Sequence, residues 1–325
     1  MMALSLRPIP VGLQSSYGEI IMAQPIQVTC ERKAIFRFYK IAVGVCFGLM
    51  PALAMANPAG CLDAPAVLAS PTLTVASLNV AHGRRQSFNQ LLLSRQAIES
   101  NLGLVAAQLQ NSGAEVVALQ EADAASGWSG DFDHVQLLAG SAGLPCYFHG
   151  LHDQSRLSSY GTALLSRYAL FQTASQTFAP SWPTKPKGFV VSRLHWNPND
   201  KLDSALEVVL VSLHLDFSRA SVRNSQAAEL IAALQDVTGP LVVMGDFNAE
   251  WAESDSAVRT LAQALSLQAY EPEVGNQGTY VGKHKRLDWI LISSQLKFVN
   301  HRVIPEVVSD HLTVVAELAL VEVLL

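Results

Sequence analysis

The sequence predicts one α/β domain of the α+β type, built mainly from mixed β-sheets. The chain has 325 residues, half of them hydrophobic, which is enough to bury a large core. Short apolar runs typical of strands recur along the chain and outnumber the stretches with helical periodicity. Some of these runs follow one another as hairpins, which favours mixed sheets over a purely parallel one. Because no repeat, charged block or long linker divides residues 62–325, we expect a single domain there.

Three segments have the pattern of amphipathic helices. In residues 98–109 the apolar side chains at 98, 102, 105, 106 and 109 share one face. Residues 227–234 are the second candidate, with Arg223 and Gln226 in the first turn, and residues 258–265 are the third. The segments 122–132 and 176–187 are rich in Gly, Ser, Pro and Trp, so we expect loops there.

A continuous apolar run at residues 241–244 ends in Gly245-Asp246-Phe247-Asn248. Such a run predicts a strand buried on both faces. Residues i and i+2 of an extended chain point the same way, so Asp246 and Asn248 would share one face just past a core strand. Taken alone, the pattern is more typical of an Asx turn.

Other strand-like runs also lead to reactive polar groups. The runs at 74–78, 116–119, 208–213 and 304–308 lead to Asn79, to Glu121, to His214 and Asp216, and to Asp310 and His311, while the run at 289–292 follows Asp288. So many polar groups at comparable strand ends indicate one convergent, charged pocket.

In this order the motifs resemble those of the metal-dependent endonuclease/exonuclease/phosphatase superfamily, whose fold is that of pancreatic deoxyribonuclease. The matching segments are Ser77-Leu78-Asn79, Ala118-Leu119-Gln120-Glu121, Tyr160-Gly161-Thr162-Ala163-Leu164-Leu165-Ser166-Arg167, Leu213-His214-Leu215-Asp216, Gly245-Asp246-Phe247-Asn248, Arg286-Leu287-Asp288-Trp289 and Ser309-Asp310-His311. Each motif is weak by itself, but the ordered combination is specific. The resemblance implies a four-layer sandwich, in which two packed mixed β-sheets carry helices on their outer faces and the site lies along one edge.

A metal site is expected at Asn79, Glu121 and Asp310. Glu121 and Asp310 offer hard oxygen ligands that suit Mg²⁺ or Mn²⁺, and the resemblance implies that both bind the metal. Asn79 adds a neutral oxygen to the same site, or a donor to phosphate. No cluster of Cys and His at zinc spacing is present in the sequence.

The catalytic residues are expected to be His214, Asp246, Asn248, Asp288 and His311. We interpret His311 as the base and Asp288 as the group that orients its imidazole, a pairing that the resemblance also implies. Asp246 and Asn248 would hold the attacking water and the phosphate, although Asp246 itself is an alternative base. A protonated His214 would stabilise phosphate charge or protonate the leaving group.

Several residues near these motifs have open roles. Thr162 replaces the Asn that is common at this position in the superfamily, which puts an amide contact to phosphate in doubt. His82, Arg84 and Arg85 would either meet a phosphate at the rim or lie in a solvated loop. Structural hydrogen bonding explains Asp216, Arg223 and Gln226 as well as a functional role does.

The first 56 residues have the pattern of a secretory leader. Arg32, Lys33, Arg37 and Lys40 precede an uncharged run at 41–56 that ends in Ala54-Met55-Ala56, a typical cleavage sequence. We therefore expect a leader at 1–56, a domain at 57–325, and export to the periplasm or the medium. Met22 is an alternative start. Cys61 follows a weak lipoprotein box, and Cys61 and Cys146 are free to pair in an oxidising compartment.

The sequence predicts a divalent-metal-dependent phosphoester hydrolase, endonuclease-like or phosphatase-like, that acts as a monomer without an obligate protein partner. Its substrate would be nucleic acid, phospholipid or a small phosphate ester. The whole chain has a net charge of −5, which disfavours strong nonspecific binding to a polyanion. The alternatives are a sphingomyelinase-like phospholipid phosphodiesterase and a non-catalytic binding protein on the same fold. A serine hydrolase lacks support because no Gly-x-Ser-x-Gly motif occurs.

Overall fold

The computed structural model describes residues 58–155, 157–199, 205–274 and 277–321, together with the backbone of Ala54–Ala56. These residues all belong to one compact unit, Pro51–Leu325. Apart from that three-residue backbone, the expected leader lies outside the described residues, so the boundary at residue 56 stays a prediction. Within the described part of the chain, no helix is both long and apolar enough to span a membrane.

Two mixed β-sheets form the centre of the molecule. The first contains β1 (Ala54–Ala56), β2 (Val67–Leu68), β7 (Leu170–Thr177), β8 (Gly188–Trp196), β9 (Leu206–His214), β10 (Leu241–Asp246), β11 (Leu267–Ala269) and β12 (Asp288–Ser293). Hydrogen bonding places these strands in the order β1-β7-β8-β9-β10-β12-β11, with β2 beside β8. Only the β9–β10 and β2–β8 pairs are parallel among the described strands of this sheet.

The second sheet contains β3 (Leu73–Asn79), β4 (Val116–Asp123), β5 (Cys146–Gln154), β6 (Ser159–Ser166), β13 (Leu296–Val303) and β14 (Val314–Leu320). Their order is β13-β14-β3-β4-β6-β5, and the β3–β4 pair is parallel. Fully buried apolar side chains from both sheets, among them Val75, Leu164, Leu210 and Ile290, form one core between them.

Helices cover the outer face of each sheet. α1 (Arg95–Ser112) and α2 (His134–Ser141) pack on the second sheet, where Leu102, Val117 and Leu138 lie in one cluster. α3 (Ala220–Leu234) and α4 (Ala257–Ala264) pack on the first sheet around a separate cluster that includes Val243. The four-layer sandwich of two mixed sheets expected from the sequence is therefore confirmed.

The three predicted helices are present, with differences at their ends. α1 begins after Ser94, whose Oγ accepts a hydrogen bond from Ala97 N at 3.2 Å, and ends at Gly113 with φ 76°. α3 begins at Ala220, well before residue 227, so Arg223 closes its first turn and Gln226 lies in its second. α2 was not predicted.

The strand predicted at residues 304–308 is wrong. This segment is an irregular connection between β13 and β14, where Ile304 N donates to Thr313 O at 2.9 Å. Pro305 has no N–H to give to a strand ladder, which ends the sheet pairing despite the apolar residues around it. Asp310 and His311 therefore lie on a loop before β14 instead of just past a strand end.

A disulfide joins Cys61 to Cys146 at the beginning of β5. The sequence left this pairing open. Beside it, Ala59 and Tyr147 exchange two backbone hydrogen bonds, of 2.7 and 2.9 Å, so the segment before β2 is attached to the second sheet. The bond uses the same Cys61 sulfur that a lipid anchor would need.

Candidate active site

One cavity of about 450 Å³ opens at the edge of the sandwich where β3, β9 and β10 end. Seven of the eight predicted site residues line it: Asn79, Glu121, His214, Asp246, Asn248, Asp310 and His311. The eighth, Asp288, is fully buried behind His311. Folding therefore gathers the predicted residues around a single space.

The strand register aligns three of these residues in a row. Asp246, at the end of β10, pairs with His214 of β9 on one side and with Asp288 of β12 on the other. Gly245 makes the close approach of β10 to β9 possible, because a Cβ at this position would lie 2.0 Å from Leu213 O. A larger residue at 245 would push the row apart.

Asp246 is the centre of the site. Its Oδ2 accepts a hydrogen bond from Asn79 Nδ2 at 3.0 Å and lies 3.5 Å from His214 Nε2 and 3.9 Å from His311 Nε2. Burial raises the pKa of Asp246 to about 7; the charge of His311 opposes that rise and the charge of Asp288 adds to it. A carboxyl group of this kind exchanges protons near neutral pH.

The expected Asp288–His311 pair is present. His311 Nδ1 lies 2.8 Å from Asp288 Oδ2, which leaves Nε2 directed toward Asp246. Burial lowers the pKa of His311, but the Asp288 and Asp246 carboxylates outweigh burial and raise it to about 10. The ring of Tyr280 packs against this imidazole, with 5.1 Å between ring centroids. The raised pKa therefore favours the protonated form of His311.

Asn248 follows the Asx geometry suggested by its motif. Its backbone N donates to Asp246 Oδ1 at 2.9 Å, and its side-chain Nδ2 donates to Leu215 O at 3.0 Å. The residue has φ 50°, a conformation that Asn tolerates better than most residues. Asn248 therefore forms the Asx turn and also belongs to the site, because the same turn brings it to the cavity wall.

A β-bulge directs Glu121 into the site. In the β4–β6 pairing, Gln120 lies opposite Thr162 and Ala122 opposite Gly161, so Glu121 is the extra residue, with φ 50°. Such a bulge re-aims one side chain at the end of a strand. The Glu121 side chain is 20% exposed, which leaves it accessible from the cavity.

Two buried basic side chains contact Glu121, and the sequence did not assign either to the site. His82 Nε2 lies 3.4 Å from Oε2, and Lys187 Nζ lies 3.6 Å from Oε1. Although burial raises the pKa of Glu121, the charges of His82 and Lys187 outweigh it and hold that pKa below its ordinary value. Glu121 is therefore an ionised carboxylate, as a metal ligand must be.

His82 belongs to a second Asp–His pair. Its Nδ1 lies 2.9 Å from Asp123 Oδ1, and its ring meets Tyr160 and Trp128 edge to face. Burial lowers the pKa of His82, but Asp123 and Glu121 outweigh burial and raise it. Sequence reasoning treated His82 as a loop residue with an open role, because one histidine in a polar loop has no periodicity.

Asp310 forms an ion pair with Arg84, whose Nη2 lies 2.6 Å from Asp310 Oδ2. Arg84 also donates to Ser87 O at 3.0 Å, and both side chains of the pair are about one-fifth exposed. Of the two alternatives for Arg84, the structure supports the position at the rim of the site over a solvated loop.

The donor set fits a divalent cation. Glu121 and Asp310 line the same cavity with hard oxygen atoms, and Asp288 Oδ1 is buried without a hydrogen-bond partner. Asp246, Asp288 and His311 also bring possible ligand atoms within 4.8 Å of one another. We favour Glu121 and Asp310 as the metal ligands, because the hydrogen bond between Asp288 and His311 already uses possible ligand atoms of the other group. The Asn79 amide is bonded through both atoms, Oδ1 to Ala81 N and Nδ2 to Asp246.

Other residues with open roles have structural contacts. Gln226 Oε1 accepts from Asp216 N at 2.8 Å, and Arg223 reaches Asp216 O, so this set supports the loop after β9. Thr162 is fully buried, and its Oγ1 lies 2.9 Å from His152 Nε2 rather than at the cavity.

Comparison with known proteins agrees with this geometry. The model of the endonuclease/exonuclease/phosphatase family matches residues 76–311. No curated protein matches the chain. Among solved structures, the human Nocturnin catalytic domain with bound sulfate anion is 20% identical, with a TM-score of 0.58 over 78% of this chain and 96% of that one.

Two bacterial structures are similar in fold. The endonuclease/exonuclease/phosphatase from Beutenbergia cavernae is 19% identical, with a TM-score of 0.58 over 77% of this chain and 72% of that one. Beta toxin from Staphylococcus aureus is 16% identical, with a TM-score of 0.52 over 75% of this chain and 99% of that one. Because the family model covers well over half of the sequence, the chain belongs to the endonuclease/exonuclease/phosphatase family.

Proposed function

We propose that the protein is a Mg²⁺- or Mn²⁺-dependent phosphoester hydrolase in which buried Asp and His residues activate water. One observation carries the proposal: the Asp288–His311 pair and Asp246 adjoin a cavity that Glu121 and Asp310 also line. Members of this family are generally metal-dependent phosphoester hydrolases, which supports the same reaction class.

Glu121 and Asp310 would hold the cation, with Asn79 beside them. A bound Mg²⁺ or Mn²⁺ neutralises phosphate charge and polarises a phosphoryl oxygen. The chain itself keeps Glu121 ionised for this role through His82 and Lys187.

Asp246 is the group best suited to take the proton from the attacking water. Its raised pKa, near neutral, matches the requirements of a general base, whereas the pKa of His311 is raised to about 10, which favours its protonated form. This assignment selects the alternative that the sequence left open. Asp288 then holds the His311 ring so that its Nε2–H faces the cavity as a donor to a phosphate oxygen.

Burial, followed by the charge of Lys187, lowers the pKa of His214 well below its ordinary value. A neutral ring does not supply the proton that the sequence interpretation expected of His214. It acts instead as a hydrogen-bond donor beside Asp246. A non-catalytic binding protein is less well supported, because every one of the predicted catalytic groups is retained and assembled.

A phospholipid substrate is the second candidate, favoured by an exposed aromatic side chain at the cavity. Phe217 is 65% exposed and lines the cavity, and Phe88 and Trp182 are exposed aromatic residues elsewhere on the surface. An apolar side chain beside a polar site suits an amphiphilic substrate. Trp128, by contrast, stacks on Tyr160. We further propose that the enzyme is an exported monomer.

A substrate panel tests the reaction class. Purified protein is offered plasmid DNA, sphingomyelin vesicles, and bis- and mono-nitrophenyl phosphate, each with Mg²⁺, with Mn²⁺ or with EDTA. We expect EDTA-sensitive turnover of at least one substrate, and a loss of ~10²-fold or more in Asp246→Asn and in His311→Gln.

The matched control is Asp236→Asn, which removes an exposed carboxylate in the connection between α3 and β10. Its turnover should equal that of the unmodified protein. Turnover that persists in EDTA, or full activity in Asp246→Asn, would contradict the proposed reaction.

A further inference from the structure

Lys187 is a buried lysine at the edge of the candidate active site, directly before β8. The residue is 5% exposed, although lysine is rarely buried without a partner. Its backbone carbonyl accepts a hydrogen bond from Phe178 N at 2.9 Å, which closes the loop between β7 and β8. Because this contact needs no side chain, the loop does not explain why position 187 carries a lysine.

The ammonium group reaches two site residues from different sheets. Nζ lies 3.4 Å from His214 Nδ1, at the end of β9, and 3.6 Å from Glu121 Oε1, at the bulge of β4. The Tyr160 ring lies beside it, 5.7 Å from Nζ to the centroid. Lys187 therefore contacts both His214, which lies beside Asp246, and Glu121, the candidate metal ligand.

The chemistry of these groups fixes the direction of the hydrogen bond. An ammonium group has three donors and no acceptor, so His214 Nδ1 must accept with its lone pair. The proton of a neutral imidazole then lies on Nε2, the nitrogen that faces Asp246 Oδ2 at 3.5 Å. Nδ1 thus faces the Lys187 donor, and the proton on Nε2 faces the Asp246 acceptor.

The charges around His214 agree with a neutral ring. The groups that act on it are Lys187, Glu121, His311 and His82, with Asp246 in contact through Nε2. Burial, followed by the charge of Lys187, keeps the pKa of His214 well below its usual value.

We infer that Lys187 is a positioning residue that holds His214 in the Nε2–H tautomer, so that a donor faces Asp246 and the phosphate site. Its catalytic consequence rests on the proposed phosphoester hydrolysis. Without Lys187, Nδ1 loses its hydrogen-bond donor, and the ring proton can move from Nε2 to Nδ1. The donor at Nε2 would then become a lone pair, which repels both Asp246 and a phosphate oxygen.

Side-chain nitrogen NMR tests the tautomer directly in the full chain. Long-range ¹H–¹⁵N spectra are recorded in EDTA and in Mg²⁺, and the His214 signals are assigned by their absence in His214→Gln. We expect a protonated Nε2 and an unprotonated Nδ1 in the unmodified protein. Lys187→Met, which removes the donor at similar side-chain length, should move proton population to Nδ1, whereas Lys187→Arg should restore the original pattern.

Lys185→Met is the matched control, because Lys185 lies in the same loop but is 47% exposed at its side chain and pairs with Asp153. Its His214 signals should be unchanged. Where turnover is measurable, kcat should fall by ~10-fold or more in Lys187→Met with little change in KM.

A proton on Nδ1 in the unmodified protein would overturn the inference. So would an unchanged tautomer in folded Lys187→Met, with folding judged by its thermal unfolding. The NMR result does not depend on activity, so a protein that hydrolyses no substrate contradicts the proposed function while leaving the tautomer assignment testable.

Discussion

Arg84 Nη2 lies 2.6 Å from Asp310 Oδ2, so a cation of the chain itself occupies a carboxylate that the sequence assigns to a metal. The Arg84 guanidinium and a bound metal ion would compete for the Asp310 carboxylate. Arg84→Gln should therefore tighten Mg²⁺ binding by about fivefold, the value of a partly exposed ion pair. Isothermal titration of metal-free protein measures this affinity. Arg85→Gln is the control, since Arg85 is exposed and donates to Val307 O. Weaker Mg²⁺ binding in Arg84→Gln would show that Arg84 helps the metal instead.

The Asp288–His311 pair should make stability depend on pH. The pKa of His311 is raised to about 10, so the folded state holds a proton that the unfolded chain releases near its ordinary value. This contribution is complete below that ordinary value and is lost as pH rises toward 10. Urea unfolding in EDTA should show a free energy of unfolding that falls between about pH 7 and pH 10. Asp288→Asn should flatten that decline, and Asp236→Asn should retain it.

Asp246 should also make the free energy of unfolding fall as pH rises, but over a lower pH range than His311. Burial raises its pKa to about 7, so the folded state binds a proton that the unfolded state has lost above its ordinary value. The free energy of unfolding should therefore fall as pH rises from about 4 to 7, and Asp246→Asn should remove this part of the curve. A slope identical in the variant would mean that Asp246 is ionised throughout.

The disulfide should stabilise the fold measurably. It joins residues 85 positions apart, and a cross-link over a loop of this size contributes roughly 2–5 kcal/mol to the free energy of unfolding. Cys61→Ala should lower the unfolding free energy by that amount, and dithiothreitol should lower that of the unmodified protein equally. Intact-mass measurement before and after reduction should show a gain of two hydrogens and no lipid. An attached lipid would contradict the bond.

Export predicts a defined amino terminus. If residues 1–56 are a leader, the protein recovered from the periplasm or medium begins at about residue 57. Mass spectrometry of that protein gives the position of the cut. A secreted form that still begins near Met1 would contradict the leader, and one that begins at a modified Cys61 would favour lipidation.

The residues at strand ends were predictable because their positions follow from apolar runs and a few local motifs. Asp246, His214 and Asp288 each adjoin a buried run, and parallel or antiparallel pairing then brings them together. The Asp288–His311 contact was expected from the chemistry of the two residues and was also implied by the resemblance. The strand expected at 304–308 was wrong because a run rich in Val and Ile outweighed the single Pro305 in sequence reasoning.

The ion-pair partners of Lys187 and Arg84 could not be predicted from the sequence, for a different reason. Each is a basic residue in a loop, and neither has a period or motif that fixes where its side chain points. Their contacts, with Glu121 and Asp310, join segments far apart in the chain. The first pair depends on the packing of the two sheets and the second on the loops that follow β3 and precede β14, neither of which one sequence without an alignment specifies.

The alignment of His214, Asp246 and Asp288 across three adjacent strands has an evolutionary consequence. Inserting or deleting one residue within β9, β10 or β12 would turn every later side chain of that strand to the opposite face, so the row tolerates substitution but not a change of length. The loops that carry Phe88, Trp182 and Phe217 have no such constraint. Preference for new substrates can therefore diverge through loop length while the chemistry beneath it is inherited intact.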